Sequence, residues 1–98
     1  MPRRDDPTAR LRERTRALND AARRRSKAAA GRILILCECG HSACRATVLL
    51  DVDEYDEIRA TSGWFLVTPG HQREALRAVV RASDRFFVIM PLEHAEAS

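Results

Sequence analysis

Three cysteines fall within eight residues, at Cys37, Cys39 and Cys44, and they are the only cysteines in the chain. An odd number so closely spaced cannot form a disulfide framework, and Cys37 and Cys39 are too near one another to staple anything distant. In a reducing compartment such a cluster points to metal binding, and less often to redox chemistry. Tetrahedral zinc holds sulfur at about 2.3 Å, so two bound sulfurs lie about 3.8 Å apart. Side chains two residues apart on an extended segment share a face, which lets Cys37 and Cys39 supply two ligands from one strand end. Cys44 returns over a short loop in which Gly40 permits a sharp reversal. The competing reading is three inert buried thiols.

The size of the chain strengthens the metal reading. Its 98 residues make one small domain, and residues 33–98 alone have a marginal core of the kind that depends on metal or disulfides. Disulfides are excluded by the cysteine count, so Zn2+ is the expected cofactor. The fourth ligand must come from His41, His71 or His94. His41 lies inside the Cys39–Cys44 loop, where coordination needs a very tight chelate. His94 falls in the C-terminal tail. His71 follows an apolar run and the turn Pro69-Gly70, which can fix a side chain against a neighbouring strand end. The expected ligand set is Cys37, Cys39, Cys44 and His71, with His41 as the alternative fourth member.

Charge divides the chain. Residues 1–32 carry eleven basic side chains and four acids, whereas residues 33–98 carry six arginines and ten acids. GC-rich coding explains arginine over lysine better than it explains clustering at one end. Clustered positive charge suits a polyanion or an acidic protein surface. Arg10, Arg12, Arg14, Arg16, Arg23, Arg24 and Arg25 are the candidates for nucleic-acid phosphates, and no aromatic residue is interleaved with them for base stacking. A solvated helix with no partner is the plain alternative. No unbroken apolar run exceeds five residues, the length of Ile33 to Cys37, which is far below the roughly 20 residues of a membrane span. No apolar core follows the N-terminal charges as a secretory signal requires, so a cytoplasmic location is expected.

The local patterns predict an α+β fold. Asp6-Pro7 starts a helix that runs to about residue 30, with Gly31 as the stop. Its apolar stripe is thin, Leu11 and Leu18 with alanines around them, so it reads as a peripheral and mostly exposed arm. Arg32–Cys37 and Ala46–Leu50 read as paired strands, and Asp51 with Glu54 as the capped start of a short helix over 52–60. Trp64–Val67 and Phe86–Met90 are further strands of a small, mainly antiparallel sheet. Glu74–Ala82 fits either helix or strand and leans towards a hairpin. The expected organisation is a basic helical arm over 1–31, a zinc-stapled domain over 32–92 and a flexible tail over 93–98, with residues 1–5 disordered. An arm of this kind should be removable without unfolding the body.

Cys37-Glu38-Cys39, Cys44, Glu54-Tyr55, Arg59, Phe65, Val67 and Pro69-Gly70-His71 together resemble a family of small, largely uncharacterised zinc-binding proteins of GC-rich bacteria. The likeness covers residues 33–90 and excludes the basic arm, and the family's charged residue after the last strand is replaced by Met90-Pro91. It implies that His71 joins the cysteines in one constellation. It supplies a site and no activity.

Three function classes follow. A closed Cys3His set leaves no position for water or substrate, which favours a non-catalytic zinc-binding module with a partner on its basic arm. A thiol-zinc redox or metal sensor is the second class. A zinc-dependent hydrolase is the third, and it needs an open fourth position with Glu38 or Glu54 as base. No H-E-x-x-H pattern is present to support it.

Overall fold

The computed structural model describes residues 7–27, 30–71 and 79–91. Helix α1 spans Pro7–Ser26, followed by strand β1 (Arg32–Leu36), strand β2 (Thr47–Asp51), helix α2 (Val52–Arg59) and strands β3 (Phe65–Val67), β4 (Val79–Ala82) and β5 (Phe87–Ile89). The fold is α+β, with the strands divided between two antiparallel sheets. β1 pairs with β2 in register Ile33 to Leu50 and Ile35 to Val48, while β5 lies between β3 and β4. Residues 1–5, 74–78 and 93–98, where the sequence predicts disorder, part of a hairpin and a flexible tail, lie outside the described residues, as does His94. The part of the ambiguous stretch that is described, Val79–Ala82, is a strand paired with β5, which agrees with the hairpin reading.

Strand period places the core. In β1 and β2 burial alternates strictly, so Ile33, Ile35, Val48 and Leu50 point inward and Leu34, Leu36 and Leu49 outward. The inward set packs on Val52, Tyr55 and Ile58 of α2 and on Leu66, Phe86 and Val88. All three β3 residues are buried because the strand has a core on each side. Leu66 belongs to the cluster just described, whereas Phe65 and Val67 join Cys37 and Ile89 in a second one, with Cys39, Cys44, Ala46, Val79 and Phe87 around it. The cysteines therefore belong to the smaller core.

α2 begins where the sequence predicts. Glu54 accepts a hydrogen bond from the Asp51 N–H over 3.0 Å, and Gly31 C=O accepts from Val52 N–H over 2.9 Å. α1 stops at Ser26, short of Gly31, and Lys27 takes the left-handed conformation at φ 53°.

α1 is more deeply committed to the body than its thin leucine stripe predicts. Leu18 is 55% exposed, whereas Asn19 is 2% and Arg12 is 7% exposed. The helix docks through a polar face. Asn19 donates to Leu36 C=O and accepts from Leu36 N–H, both over 2.9 Å, and so occupies the open edge of β1 as a neighbouring strand would. The Arg12 and Arg16 guanidiniums lie over the Phe65 ring, 5.7 and 5.2 Å from its centroid. Arg23 holds Asp56 of α2 with two hydrogen bonds of 2.8 Å.

Candidate metal centre

Cys37 follows the last residue of β1, Cys44 lies three residues before β2, and His71 lies beyond β3 on the turn through Pro69 and Gly70. The hairpin of β1 and β2 thus supplies three thiols, and the other sheet supplies an imidazole. One ligand atom from each of Cys37, Cys39, Cys44 and His71 can be chosen so that all four lie within 4.8 Å of one another. His71 Nδ1 is 3.5 Å from Cys37 Sγ and 3.4 Å from Cys44 Sγ. With Zn–S near 2.3 Å and Zn–N near 2.05 Å, a tetrahedral S···N edge is about 3.5 Å. The four side chains can hold a metal ion at these separations.

Backbone contacts hold the ligands in place. Cys37 N–H donates to Ala46 C=O over 3.0 Å, one step beyond the β1–β2 ladder, and Cys44 N–H closes a turn onto His41 C=O at 3.0 Å. His71 N–H donates to Thr68 C=O over 2.9 Å, and Thr68 N–H points at Cys37 Sγ from 3.2 Å. Such a donor favours thiolate. Gly40 has a φ of 83°, and a Cβ there would lie 2.6 Å from Thr8 C=O of α1. Only glycine allows both the reversal and that approach.

Without a cation the site disfavours thiolate. Burial pushes the Cys37 thiol up, against the pull of the Thr68 hydrogen bonds, and burial pushes Cys39 up to about 12. A soft divalent ion supplies the charge that three clustered sulfurs need.

Glu38, between two of these cysteines, is fully buried. Its carboxylate accepts from Asn19 Nδ2 (2.6 Å), from Leu66 N–H (2.8 Å) and from Arg59 Nη2 (2.6 Å). Its own N–H donates to Leu66 C=O over 2.8 Å, so Glu38 and Leu66 are tied twice. Arg59 also reaches Asp20 over 2.8 Å, Tyr55 Oη and Trp64 C=O, and the Tyr55 hydroxyl donates a short hydrogen bond to Asp20. Burial raises the Glu38 carboxyl, while the Arg59 charge and the hydrogen bonds to it pull the other way. Burial alone would lower Arg59, but the Glu38 charge and the hydrogen bonds to Glu38 and Tyr55 together outweigh this and the guanidinium stays protonated. Four segments, α1, the cysteine loop, α2 and β3, meet at this one buried ion pair.

Glu38 is therefore engaged on all sides and is not placed as a base beside the metal site. Glu54 caps α2. Of the alternative ligands, His41 is exposed and lies outside the cluster. The seven arginine candidates separate by position on α1. Arg10, Arg14, Arg24 and Arg25 are exposed, Arg12 is buried, Arg16 is half-buried over Phe65, and Arg23 pairs with Asp56. The roles of Asn19 and Asp20 escape sequence reading. Their one signal is a pair of weak helix formers at the centre of a run of strong ones.

No protein-family model, no curated protein and no solved structure matches the chain. Among the described residues, no helix is long and apolar enough to cross a membrane.

Proposed function

We propose that this chain is a non-catalytic zinc-binding module in which a single Zn2+, held by Cys37, Cys39, Cys44 and His71, fastens the β1–β2 hairpin to the β3–β5–β4 sheet. The observation that carries this reading is the convergence of four ligand atoms within 4.8 Å from two separate sheets. Three thiols and an imidazole favour zinc over the hard cations, which prefer oxygen. A complete four-ligand set leaves no coordination position for water or substrate. This argues against the hydrolase reading, and the engagement of Glu38 and Glu54 elsewhere removes its proposed bases. The resemblance of residues 33–90 to the bacterial zinc family points to the same four ligands.

Elemental analysis of the purified chain tests the proposal, with zinc expected near one equivalent. Cobalt substitution should give the intense visible absorption of a tetrahedral site and sulfur-to-metal charge transfer, with both weakened in Cys39→Ser. Folded protein that is purified without zinc and takes none up when it is added would overturn the reading.

A further inference from the structure

The arginines of α1 that do not hold the helix to the body share one face. At 3.6 residues per turn, Arg14, Arg24 and Arg25 all fall within about 60° of Arg10 around the axis. The four are exposed, and among the described residues none pairs with a carboxylate. Within the same 60° lie Ala17 and Ala21 and, at the rim opposite Arg25, the exposed Glu13. The opposite face, with Arg12, Arg16, Asn19 and Arg23, is the docked one. The outward stripe extends about 22 Å from Arg10 to Arg25 at 1.5 Å per residue.

We propose that Arg10, Arg14, Arg24 and Arg25 form a surface for the phosphate backbone of duplex nucleic acid. A straight row of guanidiniums, each able to fork onto phosphate oxygens, matches a linear polyanion. The alanines between them keep the face low enough for the duplex to lie along the helix. A docked acidic protein needs a large apolar or aromatic anchor at the centre of its interface, whereas the one exposed leucine here, Leu18, sits at the rim beside Arg14 and Arg25. A single strand needs aromatic platforms, and none lies among the four arginines. Backbone contact without base readout carries little sequence preference. This inference does not depend on the metal, because none of the four arginines is a metal ligand.

The test is fluorescence anisotropy of the full chain, with its native metal content, on a labelled mixed-sequence duplex between 50 and 200 mM salt. Four phosphate contacts predict a slope of log affinity on log salt near −3.6, at roughly −0.9 per contact. That slope is a loss of roughly 150-fold across the fourfold salt range. Changing all four arginines to glutamine should weaken binding at least tenfold at 50 mM salt and flatten the slope. Changing all four to lysine should restore most of the binding, and circular dichroism with metal analysis confirms that both variants are folded. A duplex of scrambled sequence should bind equally well. No binding at 50 mM salt overturns the proposal, as does an unchanged slope in the glutamine variant. Binding of polyglutamate as tight as that of the duplex assigns the face to an acidic protein instead. A folded wild-type chain that binds no zinc yet binds the duplex would refute the metal reading and leave this one standing.

Discussion

Asn19 donates from its side-chain amide to the Glu38 carboxylate over 2.6 Å, which ties the middle of α1 to the residue between two cysteines of the metal site. The same amide group satisfies both backbone groups of Leu36. Asn19→Ala leaves the part-buried backbone groups of Leu36, and one lone pair of the fully buried Glu38, without this partner. An unsatisfied buried group costs about 1–3 kcal/mol, so this variant should melt well below the wild type. Calorimetry of the zinc-loaded protein measures it, and the neighbouring exposed change Leu18→Ala should cost far less. Equal losses for the two would mean that α1 docks through its leucines after all.

The fourth ligand can be ranked directly. His71 Nδ1 lies within 3.5 Å of two ligand sulfurs, whereas His41 is exposed and contributes its backbone carbonyl to the loop. His71→Ala should lose bound zinc and lower the melting temperature, and His41→Ala should do neither. Competition with a chromophoric chelator reads the affinities. A greater loss for His41→Ala would move the fourth ligand into the loop.

Much of the site was legible because its signals are local. Cys37, Cys39 and Cys44 announce themselves by spacing, and Pro69-Gly70 announces a turn that delivers His71. The strands of the first sheet follow from two short apolar, β-branched runs, Arg32–Cys37 and Ala46–Leu50. What stayed hidden is long-range and polar. Arg59 and Glu38 are 21 residues apart in sequence, and Asn19 and Glu38 are 19 apart, so no periodicity links them. A search for amphipathic stripes looks for leucines, and α1 instead buries an asparagine and an arginine while Leu18 stays out. The exposed Leu34, Leu36 and Leu49 show the reverse case, since β-strand alternation places them on the outer face of a hairpin.

The thiols set a pH dependence whose sign is fixed. In the metal-free fold, Cys37 and Cys39 are raised from their ordinary value of 9.0, chiefly by burial, with Cys39 reaching about 12. Raised folded values mean that the neutral thiols favour the fold below pH 9.0 and that this contribution is lost as pH climbs towards 12. The metal-free protein should therefore weaken between those limits. Zinc must displace the thiol protons, so its apparent affinity should rise with pH by about tenfold per unit for each proton released. Chelator competition at pH 6, 7 and 8 should give at least a hundredfold change per unit if Cys37 and Cys39 both bind as thiolates. A flat profile would remove them from the ligand set.

Removal of α1 asks whether the helix is an appendage or part of the metal domain. Charge alone suggests an arm that can be cut away, because all four proposed ligands lie beyond Gly31. The contacts of α1 reverse that expectation. Deleting residues 1–30 removes Asn19 from Leu36 and Glu38, Asp20 from Tyr55 and Arg59, and the two guanidiniums from the face of Phe65. Glu38 and Arg59 keep each other but lose polar neighbours that satisfied them, and Phe65, with no exposure in the full chain, loses the arginines stacked on it. Burial of a phenylalanine side chain contributes roughly 1.5–3 kcal/mol, and losing part of it adds to the unmade hydrogen bonds. A small domain has about 5–15 kcal/mol of total stability, so these losses approach the whole of it. The truncated chain should bind zinc more weakly, and its metal-free form should lack a cooperative melting transition. Addition of a synthetic peptide covering residues 6–27 should recover part of the affinity, whereas the same peptide with Asn19→Ala should recover less. A truncated protein that melts and binds zinc like the full chain would show that α1 rests on the body without supporting it.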